Sequence, residues 1–410
     1  MALRSLSVIA MGGAALTGVL FVRRYFGVKA ALGTLGFVVV APFLLRYGFE
    51  IRGYALASLI GIAATYVLVS AVEAKHHKRQ RLLYVVYAVL VAIGMYTLYY
   101  TAVLWIAHVV WLVWRARSRK EPILRQSWWA GYVGAAALFL PWLPTFLSQW
   151  GSGALAPIAQ QLTVENMVGI VSFWFLYQSS AQLNGFWSLV IVAVIASLIY
   201  LAVMAFRLVL ARQKPYLVLL GFYTAVPVVV VALISLYRPM YVERYLAHVL
   251  IGAILFTGVA VALLWQKRRP QAVGVAVFLG VVLVCGVAQL IQVGNYNFQR
   301  HQTPHIREVA EALDCKDHPM VIAESPYEAI EISYYADGCD VRFFSENDTF
   351  IGGYAPLSRS DKRVEDINKV ADKNFIYIYY DEPKQTIPAS LKTVKDETFS
   401  AIHVRKLEAH

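Results

Sequence analysis

The first 295 residues contain no aspartate and only five glutamates, against 23 lysines and arginines. Charge of either sign is scarce: Asp, Glu, Lys and Arg make up 15% of the 410 residues, where a soluble domain has about 25%. Cysteine is limited to Cys285, Cys315 and Cys339. These shortages exclude an ordinary soluble enzyme, a disordered scaffold and a small disulfide-stapled secreted domain. What fills the space is apolar, with 59% hydrophobic residues and a mean hydropathy of +0.56. The formal net charge of +12 divides unevenly, into +18 over residues 1–295 and −6 over residues 296–410. Two bodies suited to different surroundings are joined in one chain.

Apolar runs long enough to cross a hydrocarbon core, about 17–25 residues each, recur as far as residue 293. They lie near 5–22, 29–46, 54–73, 82–98, 99–114, 128–148, 186–206, 216–236, 245–265 and 271–293. The fourth and fifth form one 33-residue stretch, which we divide at Tyr96-Thr97-Leu98-Tyr99-Tyr100. The first run is no cleavable signal peptide, because its positive cluster follows the apolar segment. The fold class expected is a multi-pass α-helical membrane protein of about 10 spans, residues 1–295, followed by a small soluble α/β domain, residues 296–410.

Basic clusters occupy every second loop: Arg23, Arg24 and Lys29; Lys75 to Arg81; Arg115 to Arg125; Arg207 to Lys214; and Lys267 to Arg269. That is the positive-inside pattern. It places both the N-terminus and the acidic tail outside the cytoplasm, in a plasma membrane. The basic loops then face anionic membrane lipid, and no nucleic-acid partner is expected.

The tail alternates helices and strands. Helices are expected from Thr303, as N-cap before Pro304, to Leu313, over Ser325 to Tyr335 and over Asp361 to Ala371. Strands are expected at 320–323, 341–344 and 375–379, which suggests a parallel sheet. The tail has no Gly-rich phosphate loop, so no nucleotide site is expected there. Cys315 and Cys339 share an oxidising compartment and are candidates for a disulfide, whereas Cys285 reads as a buried apolar residue inside a span. The triplet Asn347-Asp348-Thr349 is a glycan acceptor only where that machinery exists.

Charge that insertion does not require is the informative part. Arg46, Arg52, Arg238 and Arg244 fall on the external side, and Glu50 and Glu243 accompany them. Ionisable groups at membrane depth cost about 2.5–3.5 kcal/mol at a helix centre, so they usually face a partner or a cavity. For each one, the plainer reading is an interfacial or packing ion pair. Together, a carboxylate beside several guanidiniums suits a phosphorylated lipid, because guanidinium grips phosphate oxygens bidentately.

The same residues carry a resemblance. Pro42-Phe43-Leu44-Leu45-Arg46-Tyr47, with Glu50, Arg52 and Tyr54, resembles the "SPFLLRYSQEARMYAL" stretch of bacterial polytopic glycosyltransferases. Leu3-Arg4-Ser5-Leu6 through Arg23-Arg24-Tyr25-Phe26-Gly27 resembles "LRLPSLL…GRRLFG". Tyr96 to Tyr100 is similar to "YTHYF", and Arg238-Pro239 with Glu243-Arg244-Tyr245-Leu246 to a late "P…RYL" segment. The family is the GT-C superfamily, near the dolichyl-phosphate-mannose protein mannosyltransferases of glycosyltransferase family 39.

The resemblance implies sugar transfer from a polyprenyl-phosphate carrier to a glycan, lipid or protein acceptor on the outer membrane face. It places Glu50 in an acidic motif, as the catalytic carboxylate, holding a divalent metal (Mg, Mn or Zn) or orienting the carrier phosphate. Arg52 and Arg244, with Arg46 and Arg238, would neutralise that phosphate. Tyr47, Tyr54, Tyr96, Glu243 and Tyr245 would line the sugar and acceptor cleft, although each tyrosine also suits an interfacial belt. His248, one turn past Arg244, is a second metal candidate and equally a packed core histidine.

The sequence departs from the family in two places. By the resemblance, the family's first span and the external loop bearing its expected catalytic Asp would lie ahead of residue 1, and no Asp precedes Asp314. The His of "YTHYF" is Leu98 here. The segment 150–185, with Gly151, Gly153, Pro157, Gln160-Gln161 and Phe173-Trp174-Phe175, reads as an amphipathic interfacial helix, either a cover for the cleft or a plain connector. Two other functions stay open. One is a non-catalytic protein that binds polyprenyl lipid or supports envelope assembly. The other is a flippase or transporter, for which no internal repeat is evident.

Overall fold

A chain in hydrocarbon must satisfy its own backbone, and helices do so within one segment. The computed structural model describes residues 2–123, 126–151, 163–177, 184–293, 306–346, 350, 357, 360–383, 385–399 and 401–409. Arg125, the loop residues Gly153 to Gln161, Thr303-Pro304 and Asn347-Asp348-Thr349 lie outside them. Contacts divide the chain into Met1–Leu147 with Leu155–Asn295, and Ser148–Ala154 with Tyr296–His410.

Among the described residues, eight helices are long and apolar enough to cross a membrane. They fall in α1 (Ala2–Phe26), α4 (Tyr54–Glu73), α5 (His77–Thr97), α7 with α8 (Trp129–Phe139, Leu143–Gly151), α10 (Gly185–Leu208), α11 (Lys214–Ser235), α12 (Ala247–Lys267) and α13 (Arg269–Val293). Counted as one span, the pair α2 (Val28–Val39) and α3 (Pro42–Phe49), bent by 63°, makes a ninth. The bend has a local cause: Pro42 opens α3 without an N–H to donate, after an extended Ala41. The remaining expected run is α6 (Thr101–Ser118), about 27 Å long by its 18 residues. Arg115 and Arg117 in its last turn make it less apolar than the rest. The division of the 33-residue stretch falls where expected: α5 stops at Thr97, Leu98 is extended, and α6 starts at Thr101.

Helix α12 is the axis of the bundle, with Ile251, Ile254 and Leu255 fully buried. It is flanked by α1, α2, α4, α10, α11 and α13. Glycines let the neighbours come close, as small residues do between membrane helices. A Cβ on Gly258 would stand 2.4 Å from Thr34 Oγ1 of α2. One on Gly252 would stand 2.3 Å from the Tyr223 ring of α11. The bundle has two polar ends. At one, Ser7 of α1 donates to the Glu50 carbonyl at 2.7 Å. At the other, Arg24 meets Glu73 at 3.4 Å, and Tyr25 donates to the same carboxylate.

The segment 150–185 departs from expectation where it is described. Val164–Leu176 (α9) is apolar, capped by the Thr163 hydroxyl, and packs against α3, α10 and α13. Phe173, Trp174 and Phe175 are all buried, so this is an embedded helix rather than an amphipathic surface one.

The C-terminal unit is a six-stranded sheet in the order β3-β2-β1-β4-β6-β5, with helices α14 (Ile306–Ala312) and α15 (Pro326–Tyr335). Strands β1 (Met320–Ala323), β2 (Asp340–Phe344), β3 (Arg363–Val364) and β4 (Phe375–Tyr380) are parallel, as expected. The sheet is nevertheless mixed, because β5 (Leu391–Phe399) and β6 (Ile402–Ala409) add an antiparallel hairpin on β4. Strand β5 is an exposed edge carrying Lys392 and Lys395, a polarity that hides a strand from hydropathy and protects its edge. Residues 361–371 are no α-helix: Arg363 pairs with Phe343, and Asp366 caps a 3-10 turn. Cys315 and Cys339 form a disulfide at the end of this unit.

Candidate active site

Residues 46 to 54 are placed by the bend. Arg46 and Glu50 are four apart and share a face at the C-terminal end of α3. Arg46 Nη1 lies 3.4 Å from Glu50 Oε2, and Arg52 Nε lies 3.4 Å from Oε1, so each carboxylate oxygen faces one guanidinium. The side chains of Arg46 and Glu50 are 9% and 12% exposed, whereas Arg52 is 50% exposed. The Glu50 carbonyl accepts from Arg52 N at 2.9 Å, closing the turn into α4.

Aromatic rings tie this turn to distant parts of the chain. Tyr47 meets Tyr54 edge-on at 5.0 Å, Tyr54 approaches Tyr245 at 6.3 Å, and Tyr245 lies 4.8 Å from Tyr100. Arg52 also hydrogen-bonds the Tyr54 side chain. The Tyr100 hydroxyl donates to the Met240 carbonyl, fixing the loop ahead of α12. Glu243, Arg244 and Tyr245 form a 3-10 turn that opens α12, and the Arg244 guanidinium lies over the Tyr245 ring at 5.6 Å.

That turn holds unused hydrogen-bonding groups. Arg244 Nε and the Tyr241 hydroxyl are buried with no hydrogen-bond partner among the described residues. A buried donor without an acceptor costs about 1–3 kcal/mol, and a ligand bearing acceptors would relieve it. Glu243 is half-buried, feels the Arg244 charge, and makes no ion pair within 4.0 Å among the described residues.

Two groups missing from the sequence reading belong here. The Tyr177 hydroxyl accepts from Arg46 Nε at 2.8 Å, and Tyr177 is left-handed at φ 54° where α9 ends. A non-glycine residue there is uncommon, and such strain gathers at functional sites. Its signal was the aromatic run Phe173-Trp174-Phe175, which stops two residues short. Tyr100 was legible only as the last letter of the polar-aromatic break.

Of the other expected members, Tyr96 faces away from the cluster. Tyr96 is turned onto α7: its hydroxyl donates to the Leu138 carbonyl, and its ring packs on Phe139 and Trp142. Arg238 is exposed on the loop before Tyr241. His248 is fully buried, with the backbone carbonyls of Tyr245 and Tyr100 facing it. A divalent metal does not fit these residues. Both Glu50 oxygens face guanidinium groups, and no three His, Cys, Asp or Glu side chains gather among the described residues.

Away from this turn, an apolar cavity of about 620 Å³ opens between α9, α10, α11 and α12. Trp174, Phe175, Leu201, Gly221, Ala225 and Phe256 are among its walls. Gly286 of α13 packs close to the start of α3 and the end of α9. A Cβ there would lie 2.3 Å from the Phe175 carbonyl oxygen and 2.8 Å from Pro42.

The cluster sits at one end of a polytopic helical bundle, and known proteins share that fold. Residues 1–144 match the family model of dolichyl-phosphate-mannose-protein mannosyltransferase. The fold is that of ArnT from Cupriavidus metallidurans in the apo state, with a TM-score of 0.56 at 11% identity. That match covers 98% of this chain and 83% of that one. The structure of the same ArnT bound to undecaprenyl phosphate gives a TM-score of 0.58 at 11% identity, with the same coverage. No curated protein sequence matches the chain. The resemblance to the protein mannosyltransferases is borne out by the family model over residues 1–144, and the multi-pass fold by the likeness to ArnT.

Proposed function

We propose that this chain transfers a sugar from a polyprenyl-phosphate carrier to an acceptor at the outer face of the plasma membrane, with the C-terminal domain on that side. The observation that carries the reading is Arg244 Nε, buried beside the Glu50 cluster with no hydrogen-bond partner among the described residues. The unused donors suit phosphate oxygens, and the apolar cavity beside α9 suits an isoprenoid chain. The ArnT structure bound to undecaprenyl phosphate supports the carrier class.

In this reading Arg244 and the exposed Arg52 hold the carrier phosphate. Glu50 is a positioning residue: it fixes Arg46 and Arg52, and Arg46 in turn holds Tyr177. The acceptor hydroxyl attacks the anomeric carbon, a new C–O bond forms, and the sugar–phosphate C–O bond breaks. Its electron pair leaves on the polyprenyl phosphate, where Arg52 and Arg244 stabilise the charge. Glu243, which has no ion pair among the described residues, accepts the hydroxyl proton.

The test uses the full chain in proteoliposomes with undecaprenyl phosphate carrying a labelled sugar, following release of undecaprenyl phosphate. Arg244→Ala is expected to lower kcat by about 100-fold, the scale of one lost charge-stabilising donor. Wild-type donor binding without release in any acceptor extract would instead favour a non-catalytic lipid-binding protein.

A further inference from the structure

A groove of about 1060 Å³ runs between α5 and α7, starting at the end of the bundle opposite Glu50. Its lining changes along its length. At the N-terminal ends of the two helices stand His77, Gln80, Arg81 and Ser127; farther along come Val85, Ala88, Val89, Gly134, Ala137 and Leu138. From His77 to Val89 is about 18 Å of helix. A lipid headgroup together with most of one leaflet's hydrocarbon, about 15 Å deep, occupies a similar length.

The charge at its mouth is one-sided. No acid lines the groove, and Arg81 is exposed with no ion pair among the described residues. The adjoining recess shares Gln80, Tyr84, Gln126 and Ser127 with it and contains Glu121, whose charge is felt by Arg115 in the same recess. The Ser127 hydroxyl is held at the mouth by a hydrogen bond with Tyr84. Small side chains make the furrow: a Cβ on Gly134 would already touch Ala88 at 3.3 Å, while Val85 stands 60% exposed along the wall.

We propose that this groove binds one anionic phospholipid of the leaflet at the basic end. Its phosphate sits on the Arg81 guanidinium and the Ser127 hydroxyl, and one acyl chain lies along Val85, Val89 and Gly134. Guanidinium and hydroxyl together suit a phosphodiester. A net negative headgroup also suits the surrounding Lys78 and Arg79. The site is separate from the Glu50 cluster and does not depend on the function proposed above.

The test is native mass spectrometry of the full chain, stripped of lipid in detergent and titrated with dioleoyl-phosphatidylglycerol or dioleoyl-phosphatidylcholine. The wild type is expected to bind one phosphatidylglycerol more tightly than phosphatidylcholine. Arg81→Gln is expected to weaken phosphatidylglycerol about tenfold, the scale of one charge-assisted hydrogen bond. Arg81→Lys, which keeps the charge, is expected to retain the preference. Gly134→Leu, which fills the furrow, is expected to weaken both lipids. Melting midpoints without lipid identify a variant that has failed to fold. Equal phosphatidylglycerol binding by the wild type, Arg81→Gln and Gly134→Leu overturns the proposal. So does displacement by inorganic phosphate at concentrations that match the lipid, since the groove would then hold a free anion.

Discussion

Glu50→Gln is the substitution that best separates a desolvated ion pair from a superficial one. At 3.4 Å and an effective dielectric of about 20, the Coulomb attraction between Arg46 and Glu50 is about 5 kcal/mol. Desolvating the two ions offsets most of that. Removing one partner alone is different, because Arg46, 9% exposed, loses the carboxylate it faces while keeping its own charge. Breaking such a pair costs about 3–5 kcal/mol. Arg52 is half in solvent, so Arg52→Gln is expected to cost less than about 1 kcal/mol of stability. The double variant Arg46→Gln/Glu50→Gln is then expected to be more stable than Glu50→Gln alone, since the desolvated charge goes too. Melting midpoints of the full chain in one detergent give the order. In the transfer assay Glu50→Gln is expected to lower kcat with a smaller change in KM, because the guanidiniums remain but lose their orientation. If the double variant melts no higher than Glu50→Gln, the pair is not desolvated and the positioning role fails.

Other expectations follow from single contacts. Tyr177→Phe removes the hydroxyl that Arg46 reaches, and is expected to lower stability by about 1 kcal/mol and transfer by more than that alone explains. Gly286→Val puts side-chain atoms against the Phe175 carbonyl and Pro42, and is expected to lower the yield of folded protein in detergent-solubility chromatography. Opening the Cys315–Cys339 link frees a loop with a sequence separation of 24; by chain entropy the cost is about 3 kcal/mol, read as faster proteolysis of the C-terminal unit in Cys315→Ser/Cys339→Ser. Asp340 is partly desolvated, which raises its pKa, but bonds from Lys362 and Arg342 outweigh this and hold it below the usual carboxylate value. Its contribution is therefore complete at neutral pH and is lost as pH falls through the acid range, and Asp340→Asn is expected to flatten that part of the stability profile.

Much of the membrane unit was legible because its signal is one-dimensional. Ten apolar runs and alternating basic loops follow from hydrocarbon thickness and charge, and neither needs a tertiary contact. The α5–α6 break was readable for the same reason, since Tyr96 to Tyr100 interrupts an apolar stretch with polar aromatics. Glu50, Arg46 and Arg52 were legible as charges out of place, and the structure does join them. Tyr96 and Tyr100 sit four residues apart in one motif, yet face opposite neighbours, and only packing decides which reaches Tyr245. Tyr177 is 131 residues from Arg46, a separation that carries no periodic signal. In the tail, β5 escaped because an edge strand needs no apolar face. The stretch 361–371 misled because a helical spacing of apolar residues is equally met by a strand followed by a 3-10 turn.

The two ends of the bundle use the same chemistry to different effect. At the basic end Glu73 accepts from Arg24, Tyr25 and Tyr216, so its acceptor sites are taken by groups of α1 and α11. That is a fastening: one carboxylate accepting from three donors ties α1, α4 and α11 together. At the other end Glu50 is equally occupied by Arg46 and Arg52, but the balance around it is not closed. Arg244 Nε and the Tyr241 hydroxyl remain buried without partners, and Arg52 remains half exposed. A purely structural cluster would gain about 1–3 kcal/mol per group by pairing or removing them. Retaining unpaired donors beside a guanidinium open to solvent makes sense when an anion completes the set. The difference between the ends is therefore one of satisfaction rather than composition, and it is the unsatisfied end that carries the proposed reaction.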